Sequence, residues 1–190
     1  MSATLTQTAA GQYVEIASLL SRPVELVRAD TPPTRVEVIN VETEVGPMLL
    51  GLTSEGLAWL SFGDERFGRG ELERDLGCEL GKATPELLEA FLSADSLAVR
   101  VHGTDFQVAV WRELLTIPAG STRTYGTMAT NLGNSHASRA VGAACGRNRV
   151  SLLIPCHRAL GSTGKLVGFR WGQDVKAKLL AVESHDTLFA

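Results

Sequence analysis

The segment Val150-Ser151-Leu152-Leu153-Ile154-Pro155-Cys156-His157-Arg158 constrains this chain more than any other stretch. Its apolar, partly β-branched start predicts a short buried strand. Pro155 ends that strand, because proline cannot donate to a sheet ladder. A thiol and an imidazole follow at once, held at the end of a rigid element, which is how a nucleophile is kept still. The thiolate is the reactive form, and a nearby base raises its population. Taken alone, a cysteine after a strand is usually core filler, so its surroundings must decide.

The chain has 190 residues, 44% of them hydrophobic, enough to bury a core in one large domain or two small ones. No stretch reaches the length of a membrane span, and the N-terminus lacks the basic and apolar regions of a signal peptide. A cytoplasmic location is expected. Cys78, Cys145 and Cys156 are odd in number and far apart, which fits reduced thiols rather than a disulfide framework. With four histidines they form no close-set CxxC or HxxxH pair, so neither a structural metal nor a cofactor is expected. Charge is uneven. Residues 1–119 hold nine Lys and Arg against eighteen Asp and Glu, a net −9, while residues 120–190 hold nine against three, a net +6. A basic half beside an acidic half points to a polyanionic partner or to a solvated basic face.

In chain order, residues 1–34 carry one short helical pattern and the breakers Pro23, Pro32 and Pro33, and read as an appendage or connector. Residues 35–101 read as a small α+β support domain. A strand near 36–41 comes first, then a hairpin turning at Thr53-Ser54-Glu55-Gly56. A charged, glycine-dotted loop with a short helix follows over 63–81, then a helix capped by Thr84 and Pro85, and a strand over 97–101. Residues 102–190 form the third part. Thr104 and Gln107 make a capping box for a helix to about Leu115, with Phe106, Val110, Trp111 and Leu114 as its core stripe.

Two short helices come next, about 124–132 and 136–146, joined by Gly133-Asn134-Ser135 with Ser135 as the expected cap. This is the helix-turn-helix pattern. The second helix is built of Ala137, Ala140, Gly142, Ala143 and Ala144, with Arg139 as its one long cation. Such small residues allow tight packing on a neighbouring helix or entry into a narrow groove. A glycine-rich loop with Phe169 and Trp171 could form a pocket wall or a plain surface connection. The last helix starts near Asp174 and runs to Glu183, and a carboxylate on it could reach His157 and fix its tautomer.

Residues 104–183 resemble the O6-alkylguanine-DNA alkyltransferases, the methylated-DNA–protein-cysteine methyltransferases of bacterial type. The match is carried by Phe106-Gln107, Val110-Trp111, Ile117-Pro118-Ala119-Gly120, Thr124-Tyr125-Gly126 and Arg139-Ala140-Val141-Gly142. It continues through Asn148, Ile154-Pro155-Cys156-His157-Arg158, Gly168-Phe169-Arg170-Trp171-Gly172, Leu179-Leu180 and Glu183. Order and spacing both hold. The resemblance implies an α+β protein, with a small RNase H-like N-terminal domain before a mostly helical domain carrying the helix-turn-helix. It implies a monomer that binds duplex DNA in the minor groove, flips an O6-alkylated guanine and moves the alkyl group irreversibly to Cys156. O4-alkylthymine is a further possible substrate of the same chemistry.

Roles follow by the same resemblance. His157 takes the thiol proton through a water, Glu183 holds His157, and the Tyr125 phenol serves the departing guanine. Arg139 fills the gap in the stack, while Ala137, Ala140 and Gly142 permit close approach. Asn148 is the hinge between recognition helix and active-site segment. Tyr125, Ala159, Phe169 and Arg170 line the guanine pocket. Phe169 and Arg170 stand where some relatives carry Tyr and Ser, and the zinc ligands of some eukaryotic relatives are not recognisable here. Three other readings compete: a lesion-binding protein without transfer, which would lack the cysteine; a regulator using only the helix-turn-helix; and a cysteine hydrolase.

Overall fold

The structure, a computed structural model, describes residues 6–8, 11–63, 65–162, 164, 166 and 168–186. It divides into two compact units, Met1–His102 and Gly103–Ala190.

The first unit runs β1 (Thr6–Thr8), β2 (Gly11–Tyr13), α1 (Ile16–Leu20), β3 (Val24–Arg28), β4 (Arg35–Glu42), β5 (Met48–Thr53), β6 (Gly56–Phe62), α2 (Glu65–Leu76), β7 (Glu79–Lys82), α3 (Pro85–Ser93) and β8 (Leu97–Val101). The sheet order is β1-β2-β4-β5-β6-β8-β3, with β7 also on β4. Strands β4, β5 and β6 form an antiparallel meander, and β8 is parallel to β6 and β3. Met48 to Leu52 are all buried, as expected of a central strand covered on both faces. The β5–β6 turn needs its glycine. Gly56 has φ +123°, and a Cβ there would stand 2.4 Å from the Ala98 carbonyl oxygen.

Two expectations fail in this unit. The described part of residues 1–34 is not an appendage, because β3 pairs with β8 over five residues and β2 lies beside Val41 and Glu42. Val14, Ile16 and Leu19 are buried in the core. Pro23 does break the chain, but at a strand start, where its carbonyl accepts from Leu97 N at 2.8 Å. The stretch 63–81 is not mainly loop. It holds a twelve-residue helix and strand β7. Gly68, a helix breaker by propensity, lets α2 approach β5 and β6, since a Cβ there would meet Ser61 Oγ at 2.9 Å and Leu49 Cδ2 at 3.0 Å. Leu72 and Leu76 bury the same face.

The second unit comprises α4 (Asp105–Leu115), β9 (Arg123–Thr124), α5 (Tyr125–Asn131), α6 (Ser138–Gly146), a 3₁₀ turn (Cys156–Arg158), β10 (Ala159–Leu160) and α7 (Gln173–Asp186). The Thr104–Gln107 capping box forms, and Trp111 Nε1 donates to the Ala144 carbonyl at 3.0 Å, which fixes α4 against α6. Phe106 is not core. It sits in the first turn of α4, 37% exposed, and Val108 is buried instead. Ser135 does not cap α6, because Ala137 occupies that position and Asn134 Oδ1 accepts from His136 N at 3.2 Å, turning the chain before the helix starts.

The largest departure is at the segment before Cys156. Val150 to Ile154 is buried throughout, yet it is a folded turn that carries isolated bridges, at Val150 and between Ser151 and Ile154, rather than a strand. Leu152 takes φ +81° and Ile154 N donates to the Val150 carbonyl at 3.0 Å. Burial produces the apolar run here without a regular strand, and hydrophobicity alone does not separate the two cases. The short parallel pair β9–β10 (Ala159 beside Arg123, Leu160 beside Thr124) then sets the Cys156 turn next to the start of α5.

Among the described residues, no helix is long and apolar enough to cross a membrane.

Candidate active site

The site is assembled from one turn and two helix ends. Asn148, just after α6 and 2% exposed, staples the turn. Its Oδ1 accepts from Val150 N at 3.0 Å, and its Nδ2 donates to the Ile154 carbonyl at 2.8 Å and to Cys156 Sγ at 3.2 Å. Ser151 Oγ lies 4.0 Å from the same sulfur. The sulfur is therefore buried but faced by polar donors. Burial raises the Cys156 thiol above its ordinary range, while Asn148, Ser151 and the Lys176 ammonium pull it down. Cys145, equally buried on α6, is pushed far above the ordinary range by burial.

His157 is fully buried. Its Nε2 lies 2.7 Å from Glu183 Oε1 on α7. Its Nδ1 is buried with no hydrogen-bond partner among the described residues. Burial lowers the His157 pKa, against the pull of Glu183, so the imidazole is neutral. Glu183 is 1% exposed and receives Arg158 Nε at 3.0 Å, Arg158 Nη2 at 2.8 Å and Gly120 N at 3.1 Å. Burial alone would raise this carboxyl, but the hydrogen bonds and charges of His157 and Arg158 outweigh it and hold the pKa at about 2. Arg158 is itself fixed by the Ile117 carbonyl at 2.5 Å.

Tyr125 opens α5, capped by Thr124, and is half-buried. Burial and the neighbouring Cys145 and Cys156 raise its phenol to about 12. A Cβ at Gly142 would come within 3.7 Å of the Tyr125 ring, and one at Gly168 within 3.2 Å of its hydroxyl. Phe169 is buried edge-on to His157, with ring centroids 6.4 Å apart. Arg170 is exposed, with its guanidinium 5.3 Å from the Trp171 ring. On α6, Arg139 and Ala140 are exposed and Ala137 and Gly142 half-buried, opposite buried Val141, Ala144 and Cys145. Ala159 is buried, and its carbonyl accepts from Lys176 Nζ at 2.6 Å.

Cys156, His157, Glu183, Asn148 and Tyr125 thus converge, while Arg139 stands on the open face of α6. Sequence reasoning missed Arg158, Ser151 and Lys176. For Lys176 a signal existed, because Lys176, Leu179 and Glu183 share one face of α7 by i, i+3, i+7 spacing and all three are buried. Arg158 stood inside the Pro155-Cys156-His157-Arg158 motif without a role of its own, and for Ser151 no signal existed, since its partner Trp171 is remote in sequence. Among the described residues, no three His, Cys, Asp or Glu side chains gather to hold a metal ion.

A thiol faced by an amide donor and a hydroxyl, beside an imidazole oriented by an ionised carboxylate, can attack an electrophilic carbon. Comparison with known proteins narrows the electrophile. Residues 105–185 match the family model for the 6-O-methylguanine DNA methyltransferase, DNA binding domain. The methylated-DNA–protein-cysteine methyltransferase of Mycobacterium leprae is 33% identical over 153 residues, 78% of this chain and 93% of that protein. The crystal structure of Mycobacterium tuberculosis O6-methylguanine methyltransferase superposes with a TM-score of 0.63 at 31% identity, over 82% of this chain and 99% of that one. The structure of Mycobacterium tuberculosis OGT in complex with DNA gives 0.62 over the same shares. The corresponding protein of Methanosarcina acetivorans is 40% identical over 150 residues, covering 75% of this chain and 94% of its own length. Likeness on that scale, across both units, makes this chain a member of the methylated-DNA–protein-cysteine methyltransferases, enzymes of DNA repair.

Proposed function

We propose that this chain repairs duplex DNA by direct reversal, moving a methyl or larger alkyl group from O6 of guanine to Cys156 in a single turnover. The observation that carries the proposal is the buried Cys156–His157–Glu183 arrangement with Asn148 Nδ2 on the sulfur. An alkylated base edge lies inside the duplex, so the base must leave the stack to reach a buried thiol. Helices α5 and α6 act as the helix-turn-helix. The small exposed side of α6 enters the minor groove, and Arg139 occupies the space of the flipped base. The N-terminal unit supports this domain as an RNase H-like fold, and the protein works as a monomer in the cytoplasm.

The chemistry balances as follows. The Cys156 sulfur forms a bond to the alkyl carbon as the O6–carbon bond breaks, and that electron pair goes to the purine. The thiol proton passes to His157 at Nδ1, through a water, and finally restores the proton of N1 on the guanine. Glu183, ionised at neutral pH, keeps Nε2 protonated and so directs Nδ1 to accept. The Tyr125 phenol, protonated over the whole working range, donates to the departing guanine. The Ala159 carbonyl, Phe169 and the Arg170 backbone line the pocket. The product is a thioether, which no water can hydrolyse as it would an acyl enzyme, so the protein is consumed.

The test is intact-protein mass spectrometry after incubation with a duplex holding one O6-methylguanine, followed by peptide mapping. The expected result is one methyl group per chain, on Cys156, with guanine restored; Cys156→Ala binds the duplex and gains none. Lesion binding by unmodified wild-type protein would instead favour a binding-only role.

A further inference from the structure

We infer that Trp171 and Ser151 form a relay that positions a second hydrogen-bond donor on the Cys156 sulfur, so that the pocket loop itself helps to ionise the nucleophile. The inference rests on the reading of Cys156 as nucleophile and assigns Ser151 and Trp171 parts in that site.

The direction of each bond follows from donor chemistry. Trp171 Nε1 lies 2.7 Å from Ser151 Oγ. An indole nitrogen can only donate, so Ser151 Oγ must accept there. Its own hydrogen is left to donate elsewhere. Ser151 is 1% exposed, which removes bulk water as the taker, and Cys156 Sγ stands 4.0 Å away. A donor held in place favours the thiolate over the thiol. The contact is long for a neutral pair, and charge on the sulfur shortens such bonds. With Asn148 Nδ2 at 3.2 Å, the sulfur then has two neutral donors, neither of which must leave a salt bridge to serve it.

The loop that carries Trp171 is built to hold this geometry. Gly168 and Gly172, at φ +71° and +94°, turn the chain on either side of Phe169-Arg170-Trp171. Phe169 packs edge-on to His157, and Arg170 covers the indole. One three-residue segment therefore touches the base directly and the nucleophile through Ser151. Trp171 is a positioning residue, since it reaches the sulfur only through the serine.

The experiment measures the rate of Cys156 alkylation by iodoacetamide against pH, read by peptide mapping so that Cys78 and Cys145 do not contribute. Wild type, S151A, W171F and the double variant are compared, each checked for folding by near-UV circular dichroism. Each single variant is expected to slow alkylation about three- to tenfold on the acid side, the range of one lost hydrogen bond, and to move the midpoint up by about 0.5 to 1 in pH. Rates should converge at high pH, and the double variant should match S151A because the indole acts through the hydroxyl. A uniform slowing at every pH, multiplied effects in the double variant, or no change in W171F would each overturn the relay. If S151A fails to fold, the midpoint of W171F alone decides. Iodoacetamide needs no DNA. A wild type that shows the expected pH curve but takes no methyl group from the lesion would therefore count against the repair reading and leave the relay standing.

Discussion

Glu183 concentrates the residue-scale energetics. Its carboxyl sits at about 2 when folded and near 4.3 in an unfolded chain, so the folded state binds the proton less readily. Stability from this group is therefore fully present above about pH 4.3 and is lost as pH falls through about 2. The linkage is on the order of 3 kcal/mol, set against total stabilities of about 5–15 kcal/mol. Glu183→Gln should lower stability at pH 7 by a few kcal/mol and flatten the acid limb of a urea-midpoint-against-pH series. It should also slow methyl transfer, because the amide no longer fixes the His157 tautomer. An unchanged acid limb would mean that Arg158 and His157 are not held by this carboxylate. Tyr125 titrates at the other extreme. With its phenol at about 12, methyl transfer should show no alkaline loss from this group below about pH 11, and Tyr125→Phe should cut the rate about tenfold or more while leaving iodoacetamide reactivity of Cys156 intact.

At the scale of elements, two glycines make opposite predictions. Gly56→Ala in the β5–β6 turn should cost at least about 2 kcal/mol, because φ is +123° and the Cβ collides with backbone, which cannot move aside. Gly142→Ala inside α6 meets the Tyr125 ring only at 3.7 Å, an ordinary contact, so the gain in helix propensity should dominate at about 1 kcal/mol. Thermal melts of the two variants should move in opposite directions. The same elements show what could be read from sequence. Caps at Thr84 and Thr104 and the glycine turn at Gly56 are local chemistry, and they appear where the residues put them. The Val150–Ile154 segment is a turn and not the expected strand because the Asn148 side chain satisfies its backbone, and no local pattern encodes that. Strand β3 and helix α2 were hidden for a related reason. Each is short or glycine-bearing, and each is held by neighbours distant in sequence, Leu97–Val101 for one and Leu49 with Ser61 for the other. At the site, the motif carried Cys156, His157, Arg158 and Asn148, but the part of Arg158 in holding Glu183, and Ser151 altogether, came only from the fold.

Charge belongs to the whole molecule. The unit Met1–His102 holds eight Lys and Arg against sixteen Asp and Glu, a net −8, and Gly103–Ala190 holds ten against five, a net +5. An acidic protein overall can bind DNA only if its cations are concentrated, as they are in the unit that carries Cys156. Affinity should then depend steeply on salt, because each phosphate neutralised releases counterions and contributes about −0.9 to the slope of log affinity against log salt. Arg139 and Arg147 are both exposed in this unit, yet they are assigned different work. Arg147, at the end of α6, is suited to a phosphate, so Arg147→Ala should reduce the slope by about 0.9. If Arg139 enters the base stack as proposed, Arg139→Ala should slow transfer at every salt concentration and leave the slope nearly unchanged. Titrations of duplex with Cys156→Ala protein give the slope without consuming the lesion, and single-turnover transfer with the native thiol gives the rate. If Arg139→Ala instead changed only the slope, Arg139 would be one more phosphate contact, and some other group would have to fill the space of the flipped base.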